Sequence, residues 1–286
     1  MAGMDFMRSL SFGLFVMLLS SHLCAEEISA IPNAGEILDL DADHGVEVEG
    51  SKVIAWRNRI AWRARDFKPT REDGKPALRK DVPALKGHSV IVFEKQELVN
   101  DDEDAFDHLT TGTGYTWITV LAPHKQRPQL QDVNSFFGNL RNGQNFEGFW
   151  AGFNDDNSVW IGSRNSTSFG RWDKNNPKVQ GPKLEENRFY IIAGRMSAGT
   201  GEAEIELFVN NAEALAKQPF PVNVVANASK MAIGQERDAR EHPGRESFVG
   251  EIARMLMWER PLSNEELKVT IGALDHYYGI EGGLAK

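Results

Sequence analysis

The sequence predicts an all-β fold, two antiparallel sheets packed as a sandwich and closed by one short carboxy-terminal helix. Short apolar runs rich in β-branched and aromatic residues recur from residue 26 onward, separated by clusters of Gly, Asn, Asp and Pro. No long helical pattern falls between them, which excludes alternating strand–helix units and a parallel sheet. A single amphipathic stretch near the carboxy terminus has the spacing and capping residues of a helix.

The amino-terminal segment stands apart from that pattern. Arg8 supplies a positive charge, blunted by Asp5, and residues 10–19 (LSFGLFVMLL) form an almost unbroken apolar run. The run is shorter than the ~20 residues a permanent membrane span needs. Ser20, Ser21 and Leu23-Cys24-Ala25 follow, and Ala25 offers a cleavage position just before the acidic pair Glu26-Glu27. Residues 1–25 are therefore expected to be a signal peptide and residues 26–286 one exported domain. Its destination is the periplasm, the cell surface or the extracellular space. The alternatives are an uncleaved anchor and a lipoprotein acylated at Cys24, where Leu23 is bulkier than the residue usual before the acylated cysteine. Cys24 is the only cysteine, so cleavage leaves no disulfide, thiolate nucleophile or cysteine metal site.

Strands are then expected over residues 89–93 (SVIVF), 115–121 (YTWITVL), 146–153, 158–162, 189–194 (FYIIAG), 202–209 (EAEIELFV), 231–234 and 248–258. Asn142-Gly143, the 198–201 stretch, Pro243-Gly244 and the 154–157 stretch supply turn residues that tolerate positive φ. Gly112-Thr113-Gly114 has no following helix or Lys and reads as a turn. Residues 66–87, with Pro69, Pro76 and Pro83, read as long irregular connections. At the far end Ser263 and Glu266 have capping-box spacing, and Leu267, Ile271, Leu274 and Tyr278 form one apolar stripe. With 32 Lys and Arg against 41 Asp and Glu, the net charge is -9. No basic cluster interrupts that balance, which argues against nucleic acid and against anionic lipid.

The last hundred residues resemble the laminin-G-like, concanavalin A-type jelly roll of exported bacterial proteins. Residues 189–195 (FYIIAGR), the glycine-rich turn and residues 205–210 (IELFVN) resemble its central hairpin. Residues 231–234 (MAIG) resemble one of its short strands. Residues 248–253 (FVGEIA) followed by 258–263 (WERPLS) resemble its closing strand, turn and helix. Residues 37–42 (ILDLDA) and 53–56 (VIAW) are similar to its first strands. The resemblance is weak between 60 and 145 and strong from 185 onward. It implies a concanavalin A-like jelly-roll sandwich, a fold that hosts lectins, adhesion modules, glycosidases and structural spacers, so activity has to be read from a site.

Three candidate sites follow. Glu202, Glu204 and Glu206 alternate along one strand and project from one face, as a retaining glycosidase needs for nucleophile and proton donor; the plainer expectation is a solvated strand face. Asp101, Asp102, Asp155 and Asp156, with Glu103, Asp104 and Asn157 beside them, supply the oxygen ligands that calcium takes, but not at the spacing of a self-contained loop. Trp172, between Arg171 and Asp173 in a polar loop, suits a sugar platform: a flat indole for the C–H face of a ring, flanked by groups that bond hydroxyls. Trp150 and Trp160 are expected in the core, with Phe136 and Phe137 also among the aromatics of this region. Arg237, Asp238, Arg240, Glu241 and Arg245 make a charged loop suited to local salt bridges, or to sugar carboxylates or sulfates.

His44, His88, His108, His124, His242 and His276 are scattered without metal-ligand spacing, and no Gly-x-Ser-x-Gly elbow exists. The expected function is a non-catalytic binding or adhesion module for carbohydrate or an extracellular protein. A glycoside hydrolase on the acidic strand and a surface-structural protein are the alternatives.

Overall fold

Residues 30–60, 66–128, 134–141, 145–168, 172–235 and 247–280 are described by a computed structural model of the chain. The signal-peptide segment, Arg171, Asn142-Gly143 and the charged loop from Arg237 to Arg245, with His242 and Pro243-Gly244, lie outside the described residues.

Sixteen strands form two antiparallel sheets among these residues. The larger contains β1 (Glu36–Asp41), β2 (Val46–Glu49), β3 (Lys52–Trp56), β4 (Ala77–Arg79), β5 (Val90–Phe93), β7 (Tyr115–Pro123), β12 (Tyr190–Met196), β13 (Glu202–Val209), β14 (Ala216–Pro221) and β16 (Gly250–Trp258). Its order is β14-β13-β12-β7-β16-β5-β4-β3-β2, with β1 also on β16. The smaller contains β6 (Leu98–Val99), β8 (Asn134–Gly138), β9 (Glu147–Phe153), β10 (Ser158–Asn165), β11 (Lys178–Lys183) and β15 (Ala232–Ile233). Its order is β11-β10-β9-β8-β15-β6.

The period-2 alternation of each strand sorts apolar side chains into layers. Between the sheets lie Trp56, Phe93, Trp117, Phe137, Phe149, Phe153, Ile161, Ile205, Leu207 and Met255. On the other face of the ten-stranded sheet, Ile118, Val120, Ile191, Leu256 and Trp258 meet Leu267, Ile271, Leu274 and Tyr278 of the helix α1 (Asn264–Tyr278). Strands such as β7 are therefore buried on both faces. The capping box is present: Glu266 N donates to Ser263 Oγ (3.2 Å) and Ser263 N to Glu266 Oε2 (2.8 Å). The helix ends at Gly279 in the left-handed region, φ 66°.

The 66–87 stretch holds more structure than its prolines suggest. It contains β4 and two single turns of 3₁₀ helix, Glu72–Gly74 and Pro83–Leu85.

A buried ionic network fastens β1 to β16. Arg254 donates from Nε and Nη2 to the two oxygens of Asp39, each at 3.0 Å, and its Nη1 lies 3.7 Å from Asp41. Arg59 reaches across to Asp41 (2.9 Å) and Asp39 (3.3 Å). Arg254 is 4% exposed, Asp41 1% and Glu36 on the same strand 8%.

Candidate functional site

The outer face of the six-stranded sheet carries the most distinctive side-chain arrangement in the described residues. Register fixes it. One cross-strand row runs Ser135, Gly152, Trp160, Gln180, and the next runs Gly138, Trp150, Gly162, Lys178. Residues in one row project from the same face. Phe149, Ala151 and Phe153 of β9 and Val159 and Ile161 of β10 point into the core, so Trp150 and Trp160 must point the other way.

They are buried, as expected, but not between the sheets. With Leu140, Phe146 and Trp172 they make a separate cluster on the outside.

Glycines let the indoles lie down. A Cβ on Gly162 would come within 3.0 Å of Trp172 and 3.2 Å of Trp150, and one on Gly152 within 2.9 Å of Trp160. Trp172 stacks on Trp150, centroids 5.3 Å apart and planes 16° from parallel, and meets Trp160 edge to face at 5.8 Å. Trp150 and Trp160 are T-shaped at 5.4 Å. Gly162→Val is expected to tilt Trp172 away from Trp150 at a cost of about 1–3 kcal/mol. Near-ultraviolet circular dichroism would register the lost stacking; an unchanged aromatic spectrum would contradict it.

Cations complete the surface. Arg164 places its guanidinium 4.6 Å from the Phe146 ring centroid, 5.3 Å from Trp150 and 5.6 Å from Trp172. The Lys178 ammonium lies 4.8 Å from Trp160 and 5.1 Å from Trp172, and donates to Asn154 Oδ1 at 2.9 Å. Trp172 is only partly buried. Asp173 holds the turn that presents it: one carboxylate oxygen accepts from Asn175 N (2.8 Å) and Asn176 N (3.0 Å), the other from Ser168 Oγ (3.0 Å). Burial works against the ionised form, yet these donors hold the Asp173 carboxyl below its usual range.

Sequence reading singled out Trp172 but missed Arg164, Lys178 and the glycines under the rings. Two pairs in the sequence held the signal, Trp150 followed by Gly152 and Trp160 followed by Gly162. Each places an indole and a glycine on the same side of a strand.

The other candidates lie elsewhere. Glu202, Glu204 and Glu206 project from β13 on the helix side of the ten-stranded sheet, while Ala203, Ile205 and Leu207 point into the core. Glu204 pairs with Lys217 at 3.1 Å. Glu206 pairs with Arg195 at 2.6 Å, and Arg195 also donates to Leu262 O and to Asn264 Oδ1 at the start of the helix.

Asp156 accepts from Ser158 N and Oγ in the β9–β10 turn, beside exposed Asp155, whereas Asp102 caps a turn after β6 and Asp101 lies 3.5 Å from Lys230. Among the described residues no three His, Cys, Asp or Glu side chains are grouped to hold a metal ion. His44, His88, His108 and His124 each face a different carboxylate, those of Asp41, Asp43, Glu259 and Glu251.

Comparison with known proteins bears on the fold. No curated protein matches the chain by sequence. Among solved structures, a Trypanosoma rangeli sialidase in complex with 2,3-difluorosialic acid is 14% identical with a TM-score of 0.53, covering 86% of this chain and 34% of that one. A mutant of the Trypanosoma rangeli sialidase displaying trans-sialidase activity is 13% identical with a TM-score of 0.54, covering 92% and 39%. The binding domain of botulinum neurotoxin serotype D/C is 9% identical with a TM-score of 0.49, covering 85% and 53%. The chain thus spans between about a third and about half of the length of these proteins, and the sialidase likenesses concern the fold alone. At the sequence level, the profile of one family matches residues 100–268, from just after β6 into the closing helix. That stretch covers more than half of the chain and holds the whole tryptophan surface, and through it the chain belongs to the Concanavalin A-like lectin/glucanases superfamily.

Proposed function

We propose that the protein is an exported, non-catalytic carbohydrate-binding module, with Trp172 as the surface on which a sugar ring stacks. One observation carries the reading: a partly buried indole lies flat on Trp150 above Gly162, on a sheet face that the core does not use. Sugar rings present C–H faces that pack on such indoles, and neighbouring polar groups bond the hydroxyls. Gln180, exposed at the end of the adjacent row, and Asn154, beside Lys178, are suited to that second task. Asp173 supports the site by holding the turn.

The rival reading, a glycoside hydrolase, needs two carboxylates about 5 Å apart with space for a sugar between them. The ion pairs of Glu204 with Lys217 and Glu206 with Arg195 favour the binding reading. Trp172→Ala is expected to weaken glycan binding about tenfold or more while shifting the thermal midpoint by only a few degrees. A glycan array followed by calorimetry on the strongest hit measures both. Glycan binding that survives the substitution would remove Trp172 from the site, and an array without signal would favour a surface-structural protein.

A further inference from the structure

Trp172 is bracketed by positive charge. The loop bearing the indole supplies neither cation: Arg164 comes from the end of β10 and Lys178 opens β11, so the sheet itself sets their positions. The Lys178 ammonium lies over the edge where Trp160 and Trp172 meet, steadied by Asn154. Arg164, 6% exposed, adds its charge from beneath, between Phe146, Trp150 and Trp172. The carboxylate next to Trp172 in sequence, Asp173, is turned to the donors of its own turn. All this occurs in a chain whose net charge is -9.

A neutral sugar gains little from such a setting. Its hydroxyls are served as well by amides, and an ammonium must give up hydration to approach them. A carboxylate or sulfate gains a charge-assisted bond, strengthened where aromatic rings exclude water and lower the local dielectric. Resting on the carbohydrate reading of this face, we propose that its ligand is an anionic glycan. A ring of the glycan stacks on Trp172, and its carboxylate or sulfate bonds to Lys178 within the field of Arg164.

Calorimetry on the whole chain with four polymers tests this: dextran, dextran sulfate, polygalacturonate and polyglutamate. Dextran sulfate, polygalacturonate or both are expected to bind about tenfold more tightly than dextran, with the advantage shrinking as salt is raised. Whichever of the two binds better identifies the acid group. Lys178→Met keeps an unbranched apolar stem against Trp160 and removes the charge. It is expected to bring the anionic polymers down to the affinity of dextran, and Lys178→Arg to retain the preference should the methionine variant fail to fold. Dextran bound as tightly as its sulfate would overturn the anionic assignment and leave the carbohydrate reading intact. Polyglutamate bound as tightly as the sulfated sugar would overturn it in favour of a general polyanion site. Binding of none of the four would overturn this proposal, while the glycan array decides the carbohydrate reading separately.

Discussion

Arg254→Ala is expected to destabilise the protein by about 3–5 kcal/mol, the range for removing one partner of a buried ion pair. The arginine is nearly inaccessible and holds both oxygens of Asp39 in a two-pronged bond, with Asp41 just beyond. Without it, two carboxylates remain in a buried setting with Arg59 and the half-exposed ring of His44 facing them, and the β1–β16 ladder loses its side-chain clasp. Denaturant unfolding measures the loss. A double-mutant cycle with Asp39→Asn then isolates the coupling, because the pair should be far less destabilised than the sum of the singles. A loss under about 1 kcal/mol for Arg254→Ala would mean the network does not hold this junction.

The second large effect depends on pH. Burial, and next the charge of Asp39, push the Glu36 carboxyl up from 4.5 to about 8, against the opposing pull of Arg254 and Arg59. The folded chain therefore holds this proton more tightly than the unfolded chain does. That contribution to stability is fully present below pH 4.5 and is lost as pH rises through about 8. At about 1.4 kcal/mol per unit of displacement, the swing is several kcal/mol. Glu36→Gln never ionises, so it is expected to match the native protein near pH 4.5 and to be the more stable of the two near pH 9 by a few kcal/mol. Urea titrations of both proteins at the two pH values decide it; a difference that does not vary with pH would contradict the assignment.

The strands that were legible in the sequence are mostly those with neighbours on both sides. Alternation in EAEIELFV and the apolar runs in YTWITVL and FYIIAG gave β13, β7 and β12, all interior to the larger sheet. The four strands that end the two sheet orders, β2, β14, β6 and β11, were not legible. β14 contains Pro219 and Pro221, β11 contains Gly181 and Pro182, β2 is the exposed sequence VEVE, and β6 is two residues long. Edges carry prolines and charges that discourage pairing with other chains, and those same residues erase the apolar pattern by which a strand is recognised.

The helix was legible because capping is local chemistry between residues three apart. The site was half legible. Trp172 stood out as an aromatic in a polar loop. That Trp150 and Trp160 form its bed depends on which way β9 and β10 face, which pattern alone leaves open when both faces are apolar. Nothing in the sequence pattern marks Arg164 and Lys178; neighbouring strands set them beside the rings.

One feature of the topology governs when the protein can acquire its shape. β16 lies between β7 and β5 and also takes β1 as a partner, with Asp39 and Arg254 joined across 215 positions of sequence. A growing chain that has not yet reached residue 250 has two separate fans of ribbon and no keel to join them. Closure of the larger sheet must therefore wait until β16 has been made. Up to that moment the ribbons on either side of its place have no common spine, and the order of synthesis sets the order of assembly.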